Sequence, residues 1–155
     1  MDLTFQHYAE ELHPSFERLV NQTPVTITDL PRELPRQCVY LFSEGDRHLY
    51  VGRSNNFRNR LRQHSIDGAQ HNQAVFAFKL ARESTGQTEA SYTSEGSRAS
   101  LSTDPGFARA FLLAKRRVRA MDLRYVEEVD QLCQALLEIY AAVVLRTPYN
   151  DFATH

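Results

Sequence analysis

Residues 38–64 form the segment CVYLFSEGDRHLYVGRSNNFRNRLRQH. The parts CVYLF and HLYVG are rich in β-branched and aromatic residues, and Gly45-Asp46 between them suits a tight turn, so the pattern predicts an antiparallel hairpin. With the turn centred near Gly45, Tyr40 is expected opposite Tyr50, and directly opposed residues share one face of a sheet. The two phenols should therefore lie on the same face.

A helix is predicted directly after the hairpin. The polar residues 54–56 offer N-cap side chains, and Phe57 and Leu61 are spaced to lie on the buried side of the helix. Arg60 and His64 are four residues apart, so they should share another face.

Two further helices are predicted near the ends of the chain. In the first, from Phe5 to Val20, apolar residues recur at steps of three and four, and Pro14 is expected to interrupt or restart the helix. The last helix, from about Glu128 to Leu145, has the clearest helical pattern in the chain, and its apolar stripe is expected to face the core. That stripe consists of Val129, Leu132, Leu136, Ile139 and Val143.

The middle of the chain is more varied. Residues 74–81 favour a short buried helix, although so apolar a run also suits a strand, and residues 82–106 are polar and indicate a mobile surface insertion. A helix from Phe107 to about Arg117 should follow, and the alternation that starts at Val118 suggests a third strand. The predicted fold class is α+β, with a small, mainly antiparallel three-stranded sheet flanked by helices and an extra N-terminal helix.

Length and composition favour a single globular domain. The chain has 155 residues, 42% of them hydrophobic and 24% charged, and no apolar run approaches the ~20 residues of a membrane helix. The N-terminus lacks a secretory signal pattern, so a cytoplasmic location is expected. Cys38 and Cys133 are isolated in apolar segments and are expected to be reduced small hydrophobes rather than metal ligands.

Charge gives only a local indication of nucleic-acid binding. The net charge of −1 provides no global argument, because phosphate binding depends on clustered Lys and Arg. Two clusters exist, one over residues 47–66, which contains no acidic residue, and one over residues 115–124, with Asp122 as its only acidic residue.

The motifs CVY and YVG, followed by a basic helix, resemble those of the GIY-YIG nuclease family. That family has an arginine eight residues after the glycine of its second motif, and Arg60 is eight residues after Gly52. It also has a glutamate on a late helix and an asparagine twelve residues later, which is the separation of Glu138 and Asn150. The resemblance covers about residues 37–80 and 118–150.

The resemblance implies a metal-dependent endonuclease that hydrolyses DNA with Mg²⁺ or Mn²⁺ and leaves a 5′-phosphate and a 3′-hydroxyl. It implies Tyr50 as general base, assisted by Tyr40, and Arg60 as a donor to the scissile phosphate. Glu138 would hold one divalent cation, and His64 would contact the phosphate or relay a proton. Because a free phenol has a pKa of about 10, a tyrosine base needs positive charge nearby.

Four residues are expected to contact nucleic acid or to brace the site: Arg53, Arg58, Arg62 and Asn150. RNA stays open as a substrate beside DNA. The chain has no zinc finger or helix-turn-helix pattern, so long-site specificity would need a homodimer, a partner protein or the polar insertion. Cys38 stands where the family has a glycine, and its thiol would crowd DNA if the strand passed close to it.

Two alternatives differ in function class. One is a catalytically silent nucleic-acid-binding module on the same fold, and the other is a protein-interaction domain that uses the N-terminal helix. Taken singly, each site residue also fits an ordinary structural position on a strand or a helix. The joint spacing of the tyrosines, Arg60, Glu138 and Asn150 favours the nuclease.

Overall fold

The computed structural model describes residues 1–87 and 97–153 and has an α+β fold. The chain divides into two compact units, Met1–Arg58 with Met121–His155 and Asn59–Ala120. The expected single domain stays a prediction. The elements are α1 Leu3–Asn21, a 3₁₀ turn Ile27–Asp29, β1 Cys38–Glu44, β2 Arg47–Ser54, α2 Phe57–Ser65, α3 Val75–Thr85, α4 Arg98–Thr103, α5 Pro105–Ala120, β3 Asp122–Glu127 and α6 Gln131–Leu145.

The first unit contains the sheet, whose strand order is β2-β1-β3 with both pairs antiparallel. The predicted antiparallel sheet is thereby confirmed. The central strand β1 is buried over six of its seven residues, because α1 and α6 contribute to the core that covers it. Leu41 and Val51 from the hairpin, Leu19 from α1 and Leu137 from α6 lie in one core cluster.

The hairpin forms as predicted, but its register differs by two residues. Tyr40 pairs with Gly52 and Phe42 pairs with Tyr50, so the expected pairing of Tyr40 with Tyr50 is wrong. The two-residue turn at Gly45-Asp46 contributes one residue of the difference, and a bulge after Phe42 contributes the other. Because side chains alternate with a period of two, both tyrosines still lie on the same face.

Three predicted elements have different bounds in the structure. Helix α1 is continuous, with Pro14 inside it, so the expected interruption is wrong. The third strand starts at Asp122, and Val118, where it was expected to start, belongs to α5. The last helix starts at Gln131 instead of Glu128, because the side chain of Asp130 caps its first turn.

Helix α6 is correctly predicted as a helix, but the face expected to be buried is not. The predicted core stripe is largely exposed, and Gln134, Leu137, Ala141 and Ala142 are buried instead. The helix is apolar on most of its circumference, so spacing alone did not identify the buried side. The small side chains of the two alanines suit the face that packs closely.

The second unit is built on α3 and α5. Residues 75–85 form the expected helix, and the rings of Phe78, Phe107 and Phe111 pack together, with centroids 5.0 and 5.5 Å from that of Phe78. The predicted insertion is partly helical, since its ends belong to α3, α4 and α5, while residues 88–96 lie outside the described residues. None of the helices in the described part of the chain is long and apolar enough to span a bilayer.

Three members of the second basic cluster, Lys115, Arg116 and Arg119, are engaged within this unit. The ammonium group of Lys115 is buried and donates to the backbone oxygens of Asp67 and Ala69. Arg116 and Arg119 both bind the Asp67 carboxylate, at 3.0 and 2.9 Å, and their hydrogen bonds lower its pKa to about 2. These three cations therefore stabilise the loop that precedes α3.

Candidate active site

Tyr40 lies at the centre of the first unit, where its ring occupies the space above Gly52. Its side chain is almost fully buried, and a Cβ atom at Gly52 would lie 2.4 Å from both its Cζ and its Oη atoms. The rings of Phe42 and Phe57 lie against it, with centroid distances of 5.7 and 5.4 Å. The glycine of the YVG motif is thus required by the tyrosine of the CVY motif.

Tyr50 lies on β2, two residues before Gly52 and on the same face of the sheet as Tyr40. It is partly exposed, whereas Tyr40 is buried. Of the two phenols, Tyr50 is therefore the one more accessible to a substrate.

Asn150 holds the middle of β2 in place. Its Oδ1 accepts from the backbone N–H of Val51 at 2.8 Å, and its Nδ2 donates to the Val51 carbonyl at the same distance. The hydroxyl of Thr147 donates to the same Oδ1 atom at 2.7 Å. The amide therefore braces the backbone between Tyr50 and Gly52. Its expected contact with nucleic acid stays a prediction.

Glu138 and Arg53 form an ion pair across the same unit. The Nε of Arg53 donates to Oε2 of Glu138 at 3.0 Å, and the two side chains are 43% and 22% exposed. Burial raises the pKa of Glu138, although the positive charge of Arg53 opposes this shift. The Glu138 carboxylate is thus partly desolvated, and Arg53 is its cationic partner. The sequence did not identify Arg53 as the partner of Glu138.

A second tie between β2 and α6 was not predicted. Asn55, just after β2, accepts from Gln131 at 2.8 Å and from Gln134 at 3.1 Å, and its own amide donates to Gln131 at 2.7 Å. Gln134 is buried and also donates to the carbonyl of Glu128. These amides fix the start of α6 relative to β2. No local pattern indicates a pairing across 76 residues.

Arg58 stands at the start of α2. It is exposed, and its guanidinium donates to the carbonyl of Arg32 at 3.0 Å. Its expected phosphate contact stays a prediction.

The remaining predicted site residues, Arg60, Arg62 and His64, belong to the second unit. Nη1 of Arg60 donates to the carbonyl of Gln73 at 3.0 Å and to Gln63 at 3.1 Å, so this partly buried guanidinium is oriented by its own unit. Arg62 is exposed. His64 is fully buried, and this burial, together with the nearby charge of Arg60, lowers its pKa to about 3. A neutral, buried imidazole in this position suits packing better than contact with a phosphate.

Both cysteines are free thiols, as expected. Cys38 is completely buried, and burial raises its pKa strongly. Its thiol therefore does not reach a surface that DNA could approach, which answers the expectation of crowding. Cys133, partly buried on α6, has a pKa raised to about 11 by burial and by Glu128 and Asp130.

The comparison with protein families agrees with this arrangement of motifs. Residues 36–97 match the family model described as the GIY-YIG catalytic domain. The match supports the GIY-YIG nuclease superfamily. The matched GIY-YIG segment contains β1, β2, α2 and α3, and with them Tyr40, Tyr50 and Arg60. Glu138 and Asn150 follow it, so their assignment rests on their spacing and on their contacts with β2. The comparisons with curated proteins and with solved structures gave no match.

The family match implies a general activity. GIY-YIG domains are nucleases, generally endonucleases acting on nucleic acid, and they generally use a divalent metal ion. Within residues 1–87 and 97–153, no three His, Cys, Asp or Glu side chains gather into a metal centre. A single carboxylate still fits Mg²⁺, which commonly binds one or two carboxylates and completes its shell with water and substrate phosphate. Glu138, a hard oxygen donor already facing a cation, meets that requirement.

Proposed function

We propose that this protein is a metal-dependent endonuclease that hydrolyses phosphodiester bonds of DNA. The observation that carries the proposal is the set of long-range contacts made by residues 50–53. Asn150 braces Val51, Tyr40 packs against Gly52, and Glu138 pairs with Arg53. Four consecutive residues of one edge strand thus carry the phenol on one face and hold the guanidinium–carboxylate pair on the other.

Tyr50 is the proposed general base. It is the more exposed of the two phenols, and its strand is fixed on both sides by the Asn150 and Gly52 contacts. Tyr40, buried on the same face, would position it rather than touch the substrate. Deprotonation of a phenol at neutral pH needs neighbouring positive charge. Arg53, three residues along the strand, faces the other side of the sheet, so Arg60 is the proposed source of that charge.

Glu138 is the proposed ligand of one Mg²⁺ or Mn²⁺ ion. When bound, such an ion supplies Lewis-acid stabilisation of the charge that develops on the phosphate oxygens. Arg53 now neutralises the Glu138 carboxylate, so metal and guanidinium would compete for the same oxygen. We expect Arg53 to leave Glu138 and to bind a phosphate oxygen when substrate and metal are present. Arg53 would then pair with Glu138 in the empty site and with a phosphate oxygen when substrate and metal are bound.

The other arginines are proposed as phosphate contacts. Arg60 is assigned to the scissile phosphate by its place in the motif, since its planar fork suits two phosphate oxygens. Arg58 and Arg62 are exposed on α2 and would contact the flanking backbone. His64 is the weakest of the proposed catalytic residues because it is buried. A cytoplasmic location stays a prediction.

The test is a cleavage assay on supercoiled plasmid, labelled single-stranded and branched DNA, and RNA, with Mg²⁺ or Mn²⁺ and with EDTA. We expect metal-dependent cleavage of DNA by the wild type, and at least a ~100-fold loss in Glu138→Gln, the scale on which removal of one electrostatic group lowers a rate. Glu17→Gln is the matched control, because this exposed glutamate lies on α1.

The outcomes separate the candidate functions. Unchanged metal-dependent cleavage by Glu138→Gln would remove Glu138 as the ligand. If no nucleic acid is cut, but binding is present and falls steeply with salt, the protein is a silent binding module. Absence of both cleavage and binding would favour a protein-interaction domain.

A further inference from the structure

Helix α6 carries an apolar stripe that the first unit leaves exposed. Leu132, Ile139 and Val143 are 49%, 47% and 66% exposed, and Val129, just before the helix, is 62% exposed. Leu136, between them, is only partly buried. Contiguous apolar surface of this kind marks an interaction site more often than scattered exposed residues do.

The helix cannot turn this stripe inward. Its opposite side places Leu137 and Ala141 in the core, and buried Gln134 is hydrogen-bonded to Asn55. Rotation would also separate Glu138 from Arg53. The exposure is therefore a fixed property of the folded first unit.

Charge and spacing indicate what covers the stripe. Between Gln131 and Leu145 the only charged residue is Glu138, and Arg53 of the same chain neutralises it. A charged partner would lose hydration without gaining an ion pair, whereas an uncharged apolar stripe would lose little. A second α6 is such a surface, and between Gln131 and Leu145 it brings no charged side chain other than Glu138 to the interface.

The spacing supports the same partner. Leu132, Leu136, Ile139 and Val143 follow each other at steps of four, three and four, which is the repeat of a seam between two packed helices. We propose that this stripe is the docking surface for a second copy of the chain, giving a two-fold symmetric dimer through α6 and its symmetry mate. A two-fold axis makes one patch its own complement. The proposal stands on α6 alone and is independent of the nuclease activity.

The expected dimer is of moderate affinity. Fifteen residues of helix are about 22 Å long, so the seam is at the small end of specific interfaces and a dissociation constant in the micromolar range is expected. Sedimentation velocity and light scattering on the full chain, from about 1 to 200 µM, measure it. The wild type should move from monomer to dimer over that range.

Val143→Lys and Leu132→Lys test the surface at its two ends, and both positions are exposed, so the fold should be retained. We expect each to weaken dimerisation at least tenfold, because a lysine would enter an apolar seam. Leu113→Lys is the matched control, an apolar helix residue 52% exposed on α5. Circular dichroism and melting temperature check the fold of each variant.

A wild type that stays monomeric to 200 µM would overturn the proposal. A dimer that Leu113→Lys weakens and the two α6 variants do not would overturn it as well. Dimerisation lost only in the α6 variants, with their melting temperatures unchanged, would establish the surface.

Discussion

Replacement of Gly52 by alanine tests the contact on which the arrangement of the two tyrosine motifs depends. The new methyl carbon would lie 2.4 Å from Cζ and Oη of Tyr40, whereas carbon atoms normally approach to about 3.5–4.0 Å. The ring would have to move by roughly 1 Å or more. Phe42 and Phe57 lie against it, so the strain cannot be relieved by a small rotation.

The size of the effect follows from this overlap. Overpacking of a core costs about 1–3 kcal/mol, and the upper value applies here because the neighbours are rigid rings. For a chain of this length about 1 kcal/mol corresponds to 2–4 °C in melting temperature, so Gly52→Ala should melt roughly 6–12 °C below the wild type. The intrinsic preference of a strand for alanine over glycine acts in the opposite direction and is smaller.

Thermal melts and urea titrations of wild type, Gly52→Ala and Gly68→Ala make the measurement. Gly68 is the matched control, because no atom lies within 4 Å of a Cβ built there. In the Gly52→Ala background, Tyr40→Leu should recover stability, whereas Tyr40→Phe should not, since it keeps the Cζ atom. A Gly52→Ala melt within about 2 °C of wild type, or equal rescue by leucine and phenylalanine, would refute the reasoning.

Two further predictions concern Asn150 and His64. Asn150→Ala leaves both backbone groups of Val51 without their partner and should lower the free energy of unfolding by about 2 kcal/mol in urea titrations; exposed Asn21→Ala is the control, and equal losses would contradict the bracing role. His64 has a pKa near 3 when folded, against an ordinary value of 6.5, so as pH falls below 6.5 the unfolded chain gains a proton that the folded chain does not. The wild type should therefore lose about 2 kcal/mol relative to His64→Asn between pH 7 and pH 5. Parallel stability curves for the two proteins would show that His64 is not held neutral by the fold.

Local signals predicted most of the fold because most of it is locally determined. The β-prone segments around Gly45-Asp46 specify the hairpin, and turn residues fix where it reverses. The register was not predictable, because the bulge after Phe42 depends on how β1 packs between its two neighbours. Because side chains alternate with a period of two and the register differs by two residues, the tyrosines still lie on the predicted common face.

For the site as well, local sequence patterns were informative, whereas contacts between residues far apart in the sequence were not predictable. The motif spacing selected Tyr40, Tyr50 and Glu138 as candidates, but their contacts depend on which distant residues meet. Nothing near Arg53 in the sequence indicates that Glu138 is its partner, 85 residues away. The buried side of α6 was missed for a related reason, since a helix that is apolar on most sides carries no sequence mark of its interior face.

The contacts that Asn150 and Glu138 make with β2 also determine when the site can form during synthesis. Asn150, which braces Val51, lies 99 residues after it, and Glu138, which pairs with Arg53, lies 85 residues after it. Contacts of such sequence separation form late, because loop closure must precede them. A nascent chain that has not yet reached residue 150 therefore contains both tyrosine motifs without the strand geometry that they need. The proposed nuclease activity should therefore be absent until the segment that carries Asn150 has been made.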